Sequence, residues 1–458
     1  MKRILSCCMI LVLLLAGCSS KPVSEESSSS VSETSSGTES STLPDSSETS
    51  AEDPDDGIIS VYYVKDLGVI SYLLEDAEKR VAEEMTLEIR EFADYPSMKQ
   101  AIDTEGMPDL VLLDETYADS DIRLEDWIAE GKIADLSPLI AADREAGELL
   151  EEDFFPGTFT IGEIGGGIYC LPLSLKTYFG VTTQNNYDHS ELGALDPSYS
   201  LLELTDALAR EKTLHEEDYL ITLPSWVFTP GPEYLLSELL METGAVQIDP
   251  SSGELIVDET GAAALASYMD LLMADQALIA ALPKTAGLGE LEALYLMGAS
   301  NMNLVHQTRY WQSAYGELLE ESLKLVFFPD CASPEAYGAM TNMIGVVGSK
   351  SLEKGTLAYH LMRAMMDLPA STWLSLNIGD VPNILGPVSK VIFAEELEAF
   401  AGNYGARYKL QYELFDRQPL GETEIATLSD WASKVQLRPL PNASVLEYAR
   451  ELLSRGGF

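Results

Sequence analysis

Apolar positions divide the chain into three stretches. Ile4 to Ala16 is an almost uninterrupted apolar run behind Lys2 and Arg3. Between Ser19 and Asp56 apolar residues nearly vanish. From Gly57 onward they return in short periods that predict alternating strands and helices.

Ile58-Ile59-Ser60-Val61-Tyr62-Tyr63-Val64 is short, β-branched and aromatic, which predicts a strand. Over 70–85 the apolar positions Ile70, Leu73, Leu74, Ala77, Val81 and Met85 recur at helical spacing. Leu87 to Phe92 alternates as a second strand, Ser97 to Asp103 is helical, and Pro108 to Leu113 reads as a buried strand. Strand, helix, strand, helix, strand implies a parallel α/β sheet. Ligands bind such sheets beyond the carboxyl ends of the strands, here Tyr63 to Asp66 and Asp114-Glu115-Thr116-Tyr117.

The middle of the chain is mainly helical, at Leu201 to Ala209, Glu233 to Thr243 and Thr260 to Asp275, with a turn or hairpin over Ile248 to Leu255. Met302 to Val305, Leu323 to Phe328 and Met343 to Val347 are strand-like, and a helix is expected from Leu352 to Met366. No internal repeat is visible.

The apolar run at the front is too short to span a bilayer and suits the apolar region of a signal peptide. It ends in Leu15-Ala16-Gly17-Cys18, which resembles the lipobox of bacterial lipoproteins. That resemblance implies cleavage after residue 17, acylation of Cys18 and a place on the outer side of the cell membrane. The alternative is an ordinary signal peptide with a chance cysteine. Residues 19–56 hold 15 Ser, 4 Thr, 10 acidic residues and no aromatic. Such a segment lacks the apolar surface to offset its ordering entropy, so 18–56 is expected to be a lipidated, disordered tether. It would reach about 35 Å root-mean-square.

The body from 57 to 458 is long enough for two domains. It carries 25 basic and 65 acidic residues, a net charge of −40, which repels nucleic acid and anionic lipid headgroups. It has two cysteines, Cys170 and Cys331, too few for a disulfide scaffold.

Several segments then form an ordered set: Tyr95-Pro96-Ser97-Met98 with Met107-Pro108-Asp109-Leu110-Val111; Trp127 to Leu136; Gly167-Ile168-Tyr169-Cys170-Leu171-Pro172; Gly298 to Met302; Ser349-Lys350; and Gly379-Asp380-Val381-Pro382. Their order and spacing resemble the extracellular solute-binding proteins of ABC importers, in particular the carbohydrate-binding group. The segment from Thr182 to Thr222 departs from the pattern. The resemblance implies an α/β, two-lobed, periplasmic-binding-protein-like fold in which crossing strands join the lobes and a hinge closes them on a ligand. Carried over, lobe one is 57–171 plus 299–331 and lobe two is 172–298 plus 332–458. It further implies a monomer that captures a small solute, a sugar or oligosaccharide, and delivers it to ABC permease subunits. The open alternatives are a glycan-active enzyme, a non-transport binding scaffold, or a binding protein for peptides, polyols or amino acids.

A sugar site needs aromatic faces for the ring and placed polar groups for the hydroxyls. Trp311, with Gln307 and Arg309 behind the 302–305 strand, stands where the family often has a stacking Trp; packing in the core is the alternative. Asp114 and Glu115 end the third strand as hydroxyl acceptors or as loop caps. Lys176 and Tyr178 follow the expected first crossing, Trp226 is a second stacking candidate, and Tyr63 and Tyr117 complete the set. Trp127, Trp373 and Trp431 sit in apolar helical contexts and are expected in the core.

Enzyme signatures are missing from the sequence. The four His (189, 215, 306, 360) form no H-E-x-x-H, and there is no G-x-S-x-G elbow. Gly162 to Gly167 leads into Tyr169-Cys170-Leu171-Pro172, not a helix, so it is a turn and not a phosphate cradle. The acidic run around Asp119, Asp121, Glu125 and Asp126 lacks the glycine of a calcium loop. No cofactor, metal or catalytic residue is assigned, although two carboxylates would suffice for a glycosidase. Finally, Cys170 and Cys331 flank expected crossings. They are either a hinge disulfide or two separate buried thiols.

Overall fold

The computed structural model describes residues 57–64, 70–81, 85–149, 151–214, 219–222, 231–249, 253–280, 300–304, 323–354, 356–367, 370–371, 384–387 and 433–456. In chain order its principal elements begin with β1 (Ile58–Val64), α1 (Ile70–Val81), β2 (Thr86–Phe92), α2 (Tyr95–Glu105) and β3 (Leu110–Asp114). Next come β4 (Leu171–Lys176), β5 (Phe179–Thr183), α3 (Leu201–Leu214), β6 (Tyr219–Thr222), α4 (Pro232–Glu242) and α5 (Glu259–Ala280). After β7 (Ser300–Leu304) and β8 (Leu323–Phe327) come β9 (Tyr337–Val347), α6 (Leu357–Met366), β10 (Ile384–Leu385), β11 (Val435–Arg438) and α7 (Ala443–Gly456).

Among the described residues these strands form a seven-stranded sheet in the order β10-β4-β9-β3-β1-β2, with β11 beside β9, and a four-stranded sheet in the order β8-β5-β7-β6. In the large sheet β1 runs parallel to β2 and β3, as the strand–helix alternation predicts, whereas β9 is antiparallel to both β3 and β4.

The apolar run of β3 shows why this sheet is buried on both faces. Leu110 and Leu112 point into one apolar cluster with Ile59, Val61 and Tyr63 of β1, Leu73 and Leu74 of α1 and Leu361 and Met362 of α6. Val111 and Leu113 point into another, with Met98 and Ile102 of α2 and with Trp127. A strand covered by helices on both faces needs no polar alternation. Trp127 is therefore a core residue, as expected; Trp373 and Trp431 lie outside the described residues.

A further core gathers α3, α4, α5, α7, Val326 of β8 and Met340 of β9. β9 thus starts in this core at Met340 and continues into the large sheet, where Met343 and Val347 face one apolar cluster and Ile344 and Val346 the other. The chain also passes between the cores at Lys176–Phe179, where β4 ends and β5 begins.

These pairings differ from the expected grouping of segments. β7 and β8, assigned by resemblance with 57–171, are hydrogen-bonded to β5 and β6. β9 and β11, assigned to the other group, lie in the large sheet. The chain leaves the large sheet after β4, since Leu171–Lys176 is buried throughout as an inner strand between β9 and β10. Its ladder to β9 slips at Leu173, next to Pro172, which has no N–H to donate.

Two local expectations also meet the structure. The glycine-rich segment is a turn. Glu163–Ile164 pairs with Gly167–Ile168 across Gly165 and Gly166, whose φ angles of 60° and 90° suit glycine. The helix expected from Leu352 to Met366 is instead two, Ser349–Lys354 and α6, with Thr356 at a non-helical φ of −110° before α6.

Candidate functional site

The polar side chains at the passage between the cores form one connected cluster. β3 ends at Asp114, whose Oδ1 accepts from the Thr116 amide at 2.9 Å and the Thr116 hydroxyl at 2.6 Å. The same oxygen accepts from the Tyr95 hydroxyl at 2.9 Å. Tyr95 is fixed at the start of α2, where Asp94 caps the Ser97 amide at 2.8 Å. Asp114 therefore caps the short 3₁₀ segment Glu115–Asp119, and this turns the Glu115 carboxylate toward β4. Glu115 Oε1 lies 3.2 Å from Lys176 Nζ.

Lys176 is buried and meets a second carboxylate, Glu238 of α4. Glu238 also accepts from the Tyr178 hydroxyl. One turn further along α4, Glu242 Oε1 accepts from the Thr177 hydroxyl at 2.6 Å and from the Tyr178 amide at 2.9 Å. These bonds serve the Thr177 hydroxyl and the Tyr178 amide and hydroxyl, in the two residues that join β4 to β5. Asn342 Nδ2 donates to Ser174 Oγ at 3.0 Å alongside.

Among the described residues, one ammonium serves Asp114, Glu115, Glu238 and Glu242. Burial, reinforced by the Glu115 charge, pushes the Asp114 carboxyl up to about 6. Burial pushes Glu238 up to about 7, against the pull of Lys176, and Glu242 up to about 8. Burial works against the charged form of Lys176, but Glu115 and Glu238 outweigh it and hold the ammonium above its ordinary value. Burial and the Glu238 charge raise the Tyr178 phenol well above its usual range.

The structure thus brings together Asp114, Glu115, Lys176 and Tyr178 of the expected site residues. Tyr63 and Tyr117 are not gathered with them. Tyr63 packs with Val61 and Leu112 and donates to Glu91 Oε1 at 2.8 Å, while Tyr117 lies in the apolar cluster of Trp127. Trp226, Gln307, Arg309, Trp311 and Cys18 lie outside the described residues. Glu238 and Glu242 escaped sequence reasoning. A signal was present: in Pro232–Glu242 the apolar Leu235, Leu236, Leu239, Leu240 and Met241 leave only a narrow face for Glu238 and Glu242, and in the structure every residue from Tyr234 to Glu242 is buried.

Cys170 and Cys331 are both free, which corrects the alternative that paired them. Cys170 belongs to the cluster around Trp127, and Cys331 packs on the second core. Among the described residues no group of His, Cys, Asp and Glu is arranged to hold a metal ion, and no helix is long and apolar enough to cross a membrane.

No family model and no curated protein matches the chain. Solved structures do. The sugar-binding protein MalE from Xanthomonas citri aligns at 14% identity and a TM-score of 0.53, covering 87% of this chain and 92% of its own. The cyclic alpha-maltosyl-1,6-maltose binding protein from Arthrobacter globiformis aligns at 14% identity and 0.51, covering 87% and 93%. An ABC substrate-binding protein from Listeria monocytogenes in complex with cycloalternan aligns at 12% identity and 0.50, covering 87% and 96%. The chain has the periplasmic-binding-protein-like fold. Within this periplasmic-binding-protein-like arrangement, the Lys176 cluster occupies the passage from the first core to the second, at the carboxyl end of β3.

Proposed function

We propose that the chain is the solute-binding component of an ABC importer and captures a sugar or oligosaccharide between its two cores. The observation that carries this reading is the fold match across most of the chain to proteins that bind such ligands. The polar cluster at the carboxyl end of β3 supports it, since that edge is where open α/β sheets receive ligands. One lobe is built on the large sheet and the other on the core of α3, α4 and α5, and the two close about the Lys176–Phe179 passage and the β8–β9 connection. Glu115 at the edge of the cleft accepts ligand hydroxyls, and Trp226 and Trp311 supply stacking faces.

In this reading residues 1–17 are a signal peptide, Cys18 carries the lipid and 19–56 are the tether that keeps the body near its permease outside the cell. The protein binds and does not turn over its ligand. A thermal-shift panel of mono- and oligosaccharides, amino acids and peptides tests the ligand class. Stabilisation by saccharides alone supports the reading. Stabilisation by peptides or amino acids instead, or new reducing ends after incubation with oligosaccharides, rejects it.

A further inference from the structure

The turn Glu115–Asp119 that follows β3 belongs to the large sheet, yet its far end is seated on the second core. Ala118 is buried with Tyr234 of α4 and Leu446 of α7 in a small apolar cluster apart from the larger ones. Next to it Asp119 Oδ1 accepts from Arg450 Nη2 of α7 at 2.9 Å. The turn is fixed from behind by its own sheet. Asp114 caps it at the Thr116 amide, and Tyr117 is buried in the Trp127 cluster. The Ser120 hydroxyl donates to the Tyr117 carbonyl at 2.6 Å, and Arg123 donates to the Ser120 carbonyl at 2.6 Å. Ala118 and Asp119 therefore move with the large sheet, whereas Tyr234, Leu446 and Arg450 move with α4 and α7.

We propose that Ala118 and Asp119, held by Tyr234, Leu446 and Arg450, form a clasp that keeps the two cores together without ligand and parts when they separate. Its dimensions suit a contact that opens. The apolar part is three side chains, and the ion pair is exposed, so it is weak and screened by salt. Arg450 also feels the charge of Glu233 on α4, so a carboxylate of its own core remains beside it once Asp119 withdraws.

The direction of the effect follows from the contacts alone. They exist only while the two cores lie against each other, so each one favours that arrangement, and removing one raises the population in which the turn has parted from α4 and α7. An exposed ion pair shifts such an equilibrium by up to about fivefold. Opening of this kind is local, and it leaves the apolar clusters on either side intact.

Alkylation of the full chain carrying Ala118→Cys reads the clasp directly. Iodoacetamide reaches a thiol at position 118 when the clasp parts, while Cys170, buried in the cluster of Trp127, is reached on unfolding. Peptide mass spectrometry separates the two rates. Position 118 should react faster than Cys170. Adding Arg450→Ala should speed it by up to about fivefold with Cys170 unchanged. Loss of a nearby cation makes a thiol less acidic and slower to react, so this rise reports parting. Arg450→Lys, which keeps the charge, should stay near the parent rate. Raised salt should speed the parent and leave Arg450→Ala unmoved. Where Ala118→Cys does not fold, Leu446→Cys puts the thiol on the other side of the same contact. Equal rates at the probe and Cys170, an unchanged probe rate in Arg450→Ala, or a rise at both sites together overturns the clasp. No saccharide enters these readouts, so failure here leaves the sugar-binding reading standing, and the converse holds as well.

Discussion

The Thr177 hydroxyl donates to the Glu242 carboxylate at 2.6 Å, joining the two-residue passage between the sheets to a helix 65 positions away in sequence. The same carboxylate takes the Tyr178 amide at 2.9 Å. One buried side chain thus replaces the ladder partners that the chain gives up as it leaves β4.

Removing that partner is costly. Glu242→Ala removes the acceptor of the Tyr178 amide and the nearer of two acceptors of the Thr177 hydroxyl, and should lower stability by about 1–3 kcal/mol. Glu242→Gln retains an acceptor oxygen and should lose less. Urea denaturation of both variants checks the order; equal stability of wild type and Glu242→Ala would remove Glu242 from the junction.

Leu112 fills the middle of the buried face of β3 against β1, α1 and α6. Leu112→Ala should cost about 2–5 kcal/mol through lost transfer energy and the cavity left behind. Denaturation midpoints at constant slope measure it, and a loss below about 1 kcal/mol would place Leu112 outside a tight core.

Asp114 gives a separate pH signature. Its folded-state value of about 6 stands above the ordinary 3.8, so its contribution is present in acid and lost as pH rises through about 6. Asp114→Asn should flatten that part of the stability profile between pH 4 and pH 6.5. A profile identical to wild type would mean that the carboxyl titrates as an exposed one.

The first three strands, their helices and the Trp127 core were legible because each element is local, with a period that matches its burial. The sheet to which β7 and β8 belong was not. Ser-Asn-Met-Asn-Leu and Leu-Lys-Leu-Val-Phe read as strands in any sheet, and their partners, β5 and β6, are distant in sequence. Resemblance supplied a grouping that pairing then changed. The break before α6 was equally hidden, since the step of five from Leu352 to Leu357 departs by only one residue from the helical spacing that Leu357, Leu361 and Met365 keep. At the site, the strand ends gave Asp114, Glu115, Lys176 and Tyr178, while Glu238 and Glu242 were overlooked because glutamate in a helix is ordinarily a solvent-facing residue.

The separate settings of Cys170 and Cys331 predict two free thiols. Non-reducing peptide mapping after alkylation in denaturant should find both modified. A cross-linked pair of peptides would contradict the separation of these residues into two cores.

The most direct test of the central claim is calorimetric titration of the full chain with oligosaccharides at neutral pH, repeated on Trp311→Ala. Saturable binding of at least one saccharide is expected, with about 2.7 kcal/mol of added stability at a hundredfold excess over its dissociation constant. Trp311→Ala should weaken that binding by about 2–4 kcal/mol without lowering the melting temperature of the unliganded chain. Absence of heat and of stabilisation across the saccharide panel, with binding of a peptide or amino acid in its place, would contradict it.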